Sequence, residues 1–109
     1  MKMVQAIIRP ERFDSVKQAL EKEGTIPLSM REVSGRGMQK GISIEFRGKK
    51  HQVDMLPKLM IEMVVKNEDL DTTVRCISRA ACTGKQGDGK IFVIPIERMV
   101  RVRTDEEWT

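Results

Sequence analysis

The chain has 109 residues, 39% of them hydrophobic, with 20 Lys and Arg against 16 Asp and Glu, a formal charge of +4. That is enough for one domain with a single modest core, and it excludes a two-domain chain or a disordered one. The positive balance suits an anionic ligand, but three Phe, one Trp and no Tyr are too few for a nucleic-acid stacking platform.

No apolar run reaches the length of a membrane span. The opening Met1–Gln5 lacks the apolar stretch of a signal peptide. Cys76 and Cys82, both near one helix end, make no disulfide framework, so a cytosolic protein with reduced thiols is expected.

Met3–Ile8 alternates and reads as a strand closed by Pro10. Phe13, Val16, Ala19 and Leu20 fall at helical spacing, with Gly24 as the stop. Ile26, Leu28 and Met30 alternate in a second strand running to about Ser34. The stretch Ile42–Met55 mixes apolar and charged residues unevenly around Arg47-Gly-Lys-Lys-His51 and reads as a long exposed loop that Pro57 ends. Leu59–Val65 is the third strand. Asn67 suits an N-cap, and Glu68 and Asp69 suit the positive end of a helix with an apolar stripe of Leu70, Val74, Ile77 and Ala81. Ile91–Ile96 is a fourth strand, Met99–Arg103 a short fifth, and Asp105–Thr109 a polar tail.

A shift of 57 residues lays Met3–Arg9 over Met60–Lys66, Phe13-Asp14 over Leu70-Asp71 and Ala19-Leu20 over Cys76-Ile77. Two β-α-β units of this kind predict an α+β, ferredoxin-like double β-α-β sandwich with both helices on one face of the sheet. The other face is largely apolar, which predicts burial against further copies in a small closed oligomer.

Between the second helix and the fourth strand lies Thr83-Gly-Lys-Gln-Gly-Asp-Gly-Lys-Ile-Phe92. Three glycines in six residues let the backbone turn its N–H groups inward as an anion nest, with Lys85 and Lys90 adding charge. Gly84, Gly89 and Lys90 fit G-x-x-x-x-G-K, but Ile91 replaces the magnesium-binding Ser or Thr, and the order is helix–loop–strand rather than strand–loop–helix. Walker chemistry is therefore set aside. On a strand, Arg101 and Arg103 share a face. With Lys90 and the Gly87–Gly89 turn they point to a di- or triphosphate. An ordinary glycine turn and a solvated edge strand are the plain alternatives. Catalysis finds little support: His51 is the sole histidine, no nucleophile has a partner by spacing, and Cys and His show no metal-ligand spacing.

The chain resembles the PII nitrogen-regulatory signal proteins of the GlnB/GlnK type, without gaps from Ala6-Ile-Ile-Arg-Pro10 to Arg101-Val-Arg-Thr104. The resemblance rests on Thr83–Phe92, on Gly35-x-Gly-x-Gln-Lys-Gly41 and on Val53-Asp-x-Leu-Pro-Lys58. It implies a homotrimer with nucleotide sites in the clefts between subunits. It also implies a single domain with a T-loop, the target-touching arm, at about 37–55 and a B-loop at about 82–90.

By the same resemblance Gly87, Gly89, Lys90, Arg101 and Arg103 stand at phosphate-binding positions, and Met38 and Asp88 fall among the nucleotide-binding residues. Ile7, Gly35, Gly37, Glu62 and Val64 stand at the nucleoside pocket, with Ser29 where Thr is usual. Gln39 corresponds to the residue whose amide oxygen joins a Mg2+ held with ATP and 2-oxoglutarate. Lys40 and Gly41 fall in the 2-oxoglutarate-binding stretch, and Lys58 corresponds to the lysine that pairs with the far carboxylate. An ion held mainly by ligand oxygens is ordinary magnesium behaviour.

Met38 replaces an arginine common at the phosphates, with Arg36 nearby, which leaves the choice of ATP or ADP open. His51 stands where the uridylylated tyrosine belongs and Lys49 where some members carry a phosphorylated serine, so no modification is expected at His51. Arg47 corresponds to the arginine that such proteins insert into an ammonium channel. The resemblance thus implies a cytoplasmic regulator, not an enzyme, that meets a membrane only through a transporter and does not bind nucleic acid. An ammonium transporter is the first target to expect, with glutamine synthetase or nitrogenase as alternatives. An adenylate-energy sensor that has lost 2-oxoglutarate is a further one.

Overall fold

Along β1 (Lys2–Ile8), Val4, Ala6 and Ile8 are buried on one face, while Met3, Gln5 and Ile7 turn to the other. The protein is seen here as a computed structural model that describes residues 1–25, 27, 29–36, 43–46, 49–52 and 55–108, with side chains at all of these except 36, 43–46 and 49–52. A 3-10 turn, Pro10–Arg12, leads into α1 (Phe13–Lys22), whose Val16 and Leu20 are buried. Gly24, at φ 75°, ends the helix: its N–H donates to Glu21 O at 3.0 Å, and Thr25 N–H donates to Leu20 O at 2.9 Å.

Next comes β2 (Ser29–Arg36), two residues longer at its end than expected; Ile26 and Leu28, its expected start, lie outside the described residues. Within the stretch read as a loop without elements, β3 (Ser43–Phe46) and β4 (Lys49–Gln52) pair as an antiparallel ribbon, Ser43 opposite Gln52 and Phe46 opposite Lys49. This corrects the loop reading. Ile44 and Phe46 alternate as a strand does, but the partner strand Lys49–Gln52 is polar throughout and carries no alternation to read.

The next strand, β5 (Met55–Val65), starts four residues before the expected Leu59 and contains Pro57. Pro57 faces Ser34 of β2, but β1 joins β5 only from Leu59 onward. At Pro57 one side of β5 therefore has no partner, the place where a residue lacking N–H is tolerated.

A second 3-10 turn, Asn67–Asp69, precedes α2 (Leu70–Ala81). Turns and helices of the two halves are offset by the 57 residues of the repeat, 10 to 67 and 13 to 70. Asn67 is not the cap of α2. It opens the 3-10 turn, and its Oδ1 accepts from the Met1 amino group at 2.7 Å. The cap position falls to Asp69, without a side-chain capping bond. Then follow β6 (Gly89–Pro95), β7 (Met99–Val100) and β8 (Glu107–Trp108). The expected fifth strand is cut to two residues, and the expected polar tail supplies its partner.

Four strands form one antiparallel sheet in the order β2–β5–β1–β6. Both helices cover the face carrying Val4, Ala6, Ile8, Ile61, Met63 and Val65, and close the core with Val16, Leu20, Ile77 and Ala81. Each large side chain fully buried there is worth roughly 1.5–3 kcal/mol. Arg12 fixes the start of α1 to the end of α2, its Nε and guanidinium nitrogen donating to Ala80 O at 3.0 and 2.6 Å. The ferredoxin-like α+β sandwich read from the repeat is the fold observed. No helix among the described residues is long and apolar enough to cross a membrane.

Candidate functional site

The open face of the sheet is ordered by register. One row across it reads Lys90–Ile7–Met60–Arg31, and the next reads Phe92–Gln5–Glu62–Ser29, with Val64 beside Met3 beyond. Ile7, Ser29, Glu62, Val64 and Lys90 therefore share one face, as do Lys58 and Gly35 nearer the loop. Ser29 lies three strands from β6, about 14 Å at sheet spacing. Glu62 is held by Arg31 at 3.1 Å.

At the end of this face stands the glycine-rich segment. Gly84, Gly87 and Gly89 have φ of 82°, 92° and 113°. Gly89 has no alternative: a Cβ there would sit 1.7 Å from Ile7 O. A cleft of about 560 Å3 opens beneath the loop, lined among others by Ile7, Gly35, Lys58, Lys85, Lys90 and Phe92.

Asp88 braces the loop from inside. Its carboxylate accepts from Thr83 N–H at 2.8 Å, Gly84 N–H at 3.0 Å, the Thr83 hydroxyl and Arg9 Nε at 3.0 Å. The Thr83 hydroxyl and N–H above all, then Arg9 and Gly84 N–H, hold this carboxyl well below the usual carboxylate range. With its side chain so committed, Asp88 has its backbone to offer a ligand.

Two cations hold the loop's carbonyls: an Arg9 guanidinium nitrogen donates to Gln86 O at 2.5 Å, and Lys58 Nζ donates to Gly87 O. Lys58 is only 4% exposed. Burial, then the Arg9 charge, push its ammonium below the ordinary lysine range, against the opposing pull of Glu11 and Asp88. Gly35 gives its stem room, since a Cβ there would come 2.8 Å from Lys58 Cγ.

Arg9 is the residue that sequence reading missed. The usable signal was register: once β6 is laid along β1 with Gly89 opposite Ile8, Arg9 falls opposite Asp88.

Arg101 and Arg103 do not join this cleft within one chain. They lie beyond the far end of β6, six residue steps or about 20 Å from Gly89. Nor do they share a strand face. Beyond Val100 the chain turns: Arg101 N–H donates to Glu106 O and Asp105 N–H to Arg101 O, each at 2.8 Å, and Asp105 has φ 58°. Strand alternation does not apply to a hairpin turn.

Gly37, Met38, Gln39, Lys40, Gly41 and Arg47 lie outside the described residues, while the His51 backbone sits in β4 opposite Ile44. Cys76 is half-buried and Cys82 exposed, both free. Among the described residues no group of three His, Cys, Asp or Glu side chains is placed to hold a metal ion.

An antiparallel sheet from two β-α-β halves, with both helices on one face and a cation-lined glycine loop at the end of the other, defines the α+β class of the protein. Comparison with known proteins places it more closely. The family model "Nitrogen regulatory protein P-II" matches residues 1–106. "Nitrogen regulatory protein P-II 2" of Methanothermobacter thermautotrophicus is 49% identical over 106 residues, covering 97% of this chain and 92% of the relative. "Nitrogen regulatory protein P-II 1" of Escherichia coli strain K12 is 48% identical over 107 residues, covering 98% and 96%. The chain belongs to the P-II family of nitrogen regulatory proteins.

Proposed function

We propose that the protein is a trimeric cytoplasmic sensor, not an enzyme, that binds ATP or ADP between subunits, takes up 2-oxoglutarate with Mg-ATP, and signals through the segment 37–55 to an ammonium transporter. The observation that carries this reading is the loop Thr83–Lys90, braced by Asp88 and Arg9, with Lys58 and Lys90 on one cleft. Phosphate is the anion best matched by a glycine nest with several cations. Because Arg101 and Arg103 sit at the other end of β6, their help at the phosphates requires a neighbouring subunit. The cleft's cations and loop N–H groups suit ligand oxygens rather than a bare metal. Gln39 would, by the family resemblance, supply one oxygen to a Mg2+ held mainly by nucleotide oxygens. Each ligand acts by stabilising a different arrangement of 37–55, the one way a ligand shifts target affinity.

Lys90→Ala tests the phosphate reading. It removes a charge beside groups common to ATP and ADP and is expected to weaken both together by about 1.5–3 kcal/mol. Calorimetry on the folded variant measures this, and unchanged affinity for either nucleotide refutes the site.

Assembly has its own test. Phe92, Val93 and Ile94 are 45%, 43% and 38% exposed along the edge strand β6, a run that another copy would cover. Light scattering is expected to give three times the 12.5 kDa chain mass; a folded monomer at micromolar concentration excludes both trimer and shared site.

A further inference from the structure

The repeat sets Lys66 at the end of β5 where Arg9 ends β1, and each holds a segment read as phosphate-binding. Lys66 Nζ lies 5.7 Å from the centroid of the Trp108 ring, and the guanidinium carbon of Arg101 lies 5.8 Å from the same centroid. Both are within cation–π range. Glu106 joins these groups with both of its oxygens. Its Oε1 accepts from Trp108 Nε1 at 3.3 Å, and its Oε2 faces Arg101 Nε at 3.7 Å. The backbone bond from Arg101 N–H to Glu106 O closes the turn, and Arg98 Nε pins Glu107 at 2.6 Å on the neighbouring strand. In the single chain, then, the Arg101 guanidinium already has an anion and a ring. Phosphate oxygens approaching it meet Glu106, a like charge, at close range.

We propose that Glu106 and Trp108 form an internal seat for Arg101 that nucleotide phosphates displace, so that site occupancy and the C-terminal hairpin are linked. The seat rests on the nucleotide reading above. Arg101 and Glu106 are both 56% exposed, and exposed ion pairs are weak, so the competition is worth a small factor in affinity. Trp108 is the chain's one tryptophan, and there is no tyrosine. Its emission therefore reports directly on the cations at its ring.

Glu106→Gln deletes the competing charge and keeps an oxygen for Trp108 Nε1. Calorimetry is expected to show Mg-ATP and Mg-ADP each binding this variant about two- to fivefold more tightly than wild type. In wild type, tryptophan emission is expected to shift on saturation with either nucleotide. A purely structural Glu106 predicts the opposite sign, since a loosened hairpin binds less well. Unchanged or weaker binding by the variant, or steady emission while calorimetry records binding, overturns the seat and leaves the nucleotide reading intact. No binding of either nucleotide to wild type removes site and seat together.

Discussion

Gly89→Ala is expected to destabilise the protein by about 3–5 kcal/mol and to lower its melting temperature by on the order of 15 °C. Two separate costs meet at this residue. Its φ of 113° is one that side-chain-bearing residues rarely adopt, and the added Cβ would lie 1.7 Å from Ile7 O and 2.8 Å from Ile7 C. Those are backbone atoms of the neighbouring strand, so no rotamer change relieves the overlap. Either β6 leaves β1 at its first pair, Gly89 opposite Ile8, or the loop before it moves. Both disturb the cleft, and nucleotide affinity should fall at least tenfold. Gly84→Ala is the control within the same loop. It shares the positive φ, at 82°, but nothing lies within 4 Å of its Cβ, so only the backbone cost of about 1 kcal/mol remains. Thermal melts at equal protein concentration decide it, because the proposed assembly would make the midpoint depend on concentration. A Gly89→Ala protein melting within about 2 °C of Gly84→Ala would show that the close approach to Ile7 does not constrain the fold.

Gly89 also shows where sequence reading reaches and stops. That a glycine-rich turn joins α2 to β6 is visible in the residues themselves. That Gly89 in particular cannot be replaced depends on Ile7, 82 positions away in the numbering, and emerges only with the register. The elements legible in advance carry their own period: Val4, Ala6 and Ile8 in β1, or Leu70, Ile77 and Ala81 in α2. The 57-residue repeat supplied the topology, because two copies of one β-α-β unit close into one sheet.

What escaped is non-local. Pro57 reads as a breaker until β1 is seen to begin pairing only at Leu59. Asn67 reads as a cap until Met1 arrives to take its oxygen. Arg101 and Arg103 read as strand neighbours until Glu107-Trp108 folds back on Met99-Val100 and turns the intervening residues. Arg9 carries no pattern of its own, and its part in holding Asp88 and Gln86 O depends on a contact across nearly the whole chain.

Lys58→Met is expected to abolish binding of 2-oxoglutarate while leaving a folded protein that still binds ATP. The side chain is almost fully buried, and burial together with the Arg9 charge already disfavours its ammonium, so a methionine of similar length fills the space under Gly35 and the loss of stability is limited to the bond to Gly87 O, about 1 kcal/mol. The ammonium does two things that methionine cannot. It holds Gly87 O, a neutral acceptor at the rim of the loop, and losing that bond should weaken ATP by about 1 kcal/mol, or roughly fivefold. It is also the cation proposed to meet the far carboxylate of 2-oxoglutarate. Truncating one partner of a buried charge pair costs about 2–5 kcal/mol, which takes a metabolite of ordinary affinity beyond detection. The two losses differ enough to be told apart in one set of titrations, wild type and variant, each with Mg-ATP and with Mg-ADP. Wild type is expected to bind 2-oxoglutarate only with Mg-ATP, since in the proposed reading the keto-acid end would meet a nucleotide-borne metal. Equal binding with Mg-ADP contradicts the metal bridge, and retained binding by the variant withdraws Lys58 from the carboxylate. Absence of 2-oxoglutarate binding in wild type, with ATP bound, turns the reading to an adenylate sensor in which Lys58 serves Gly87 alone.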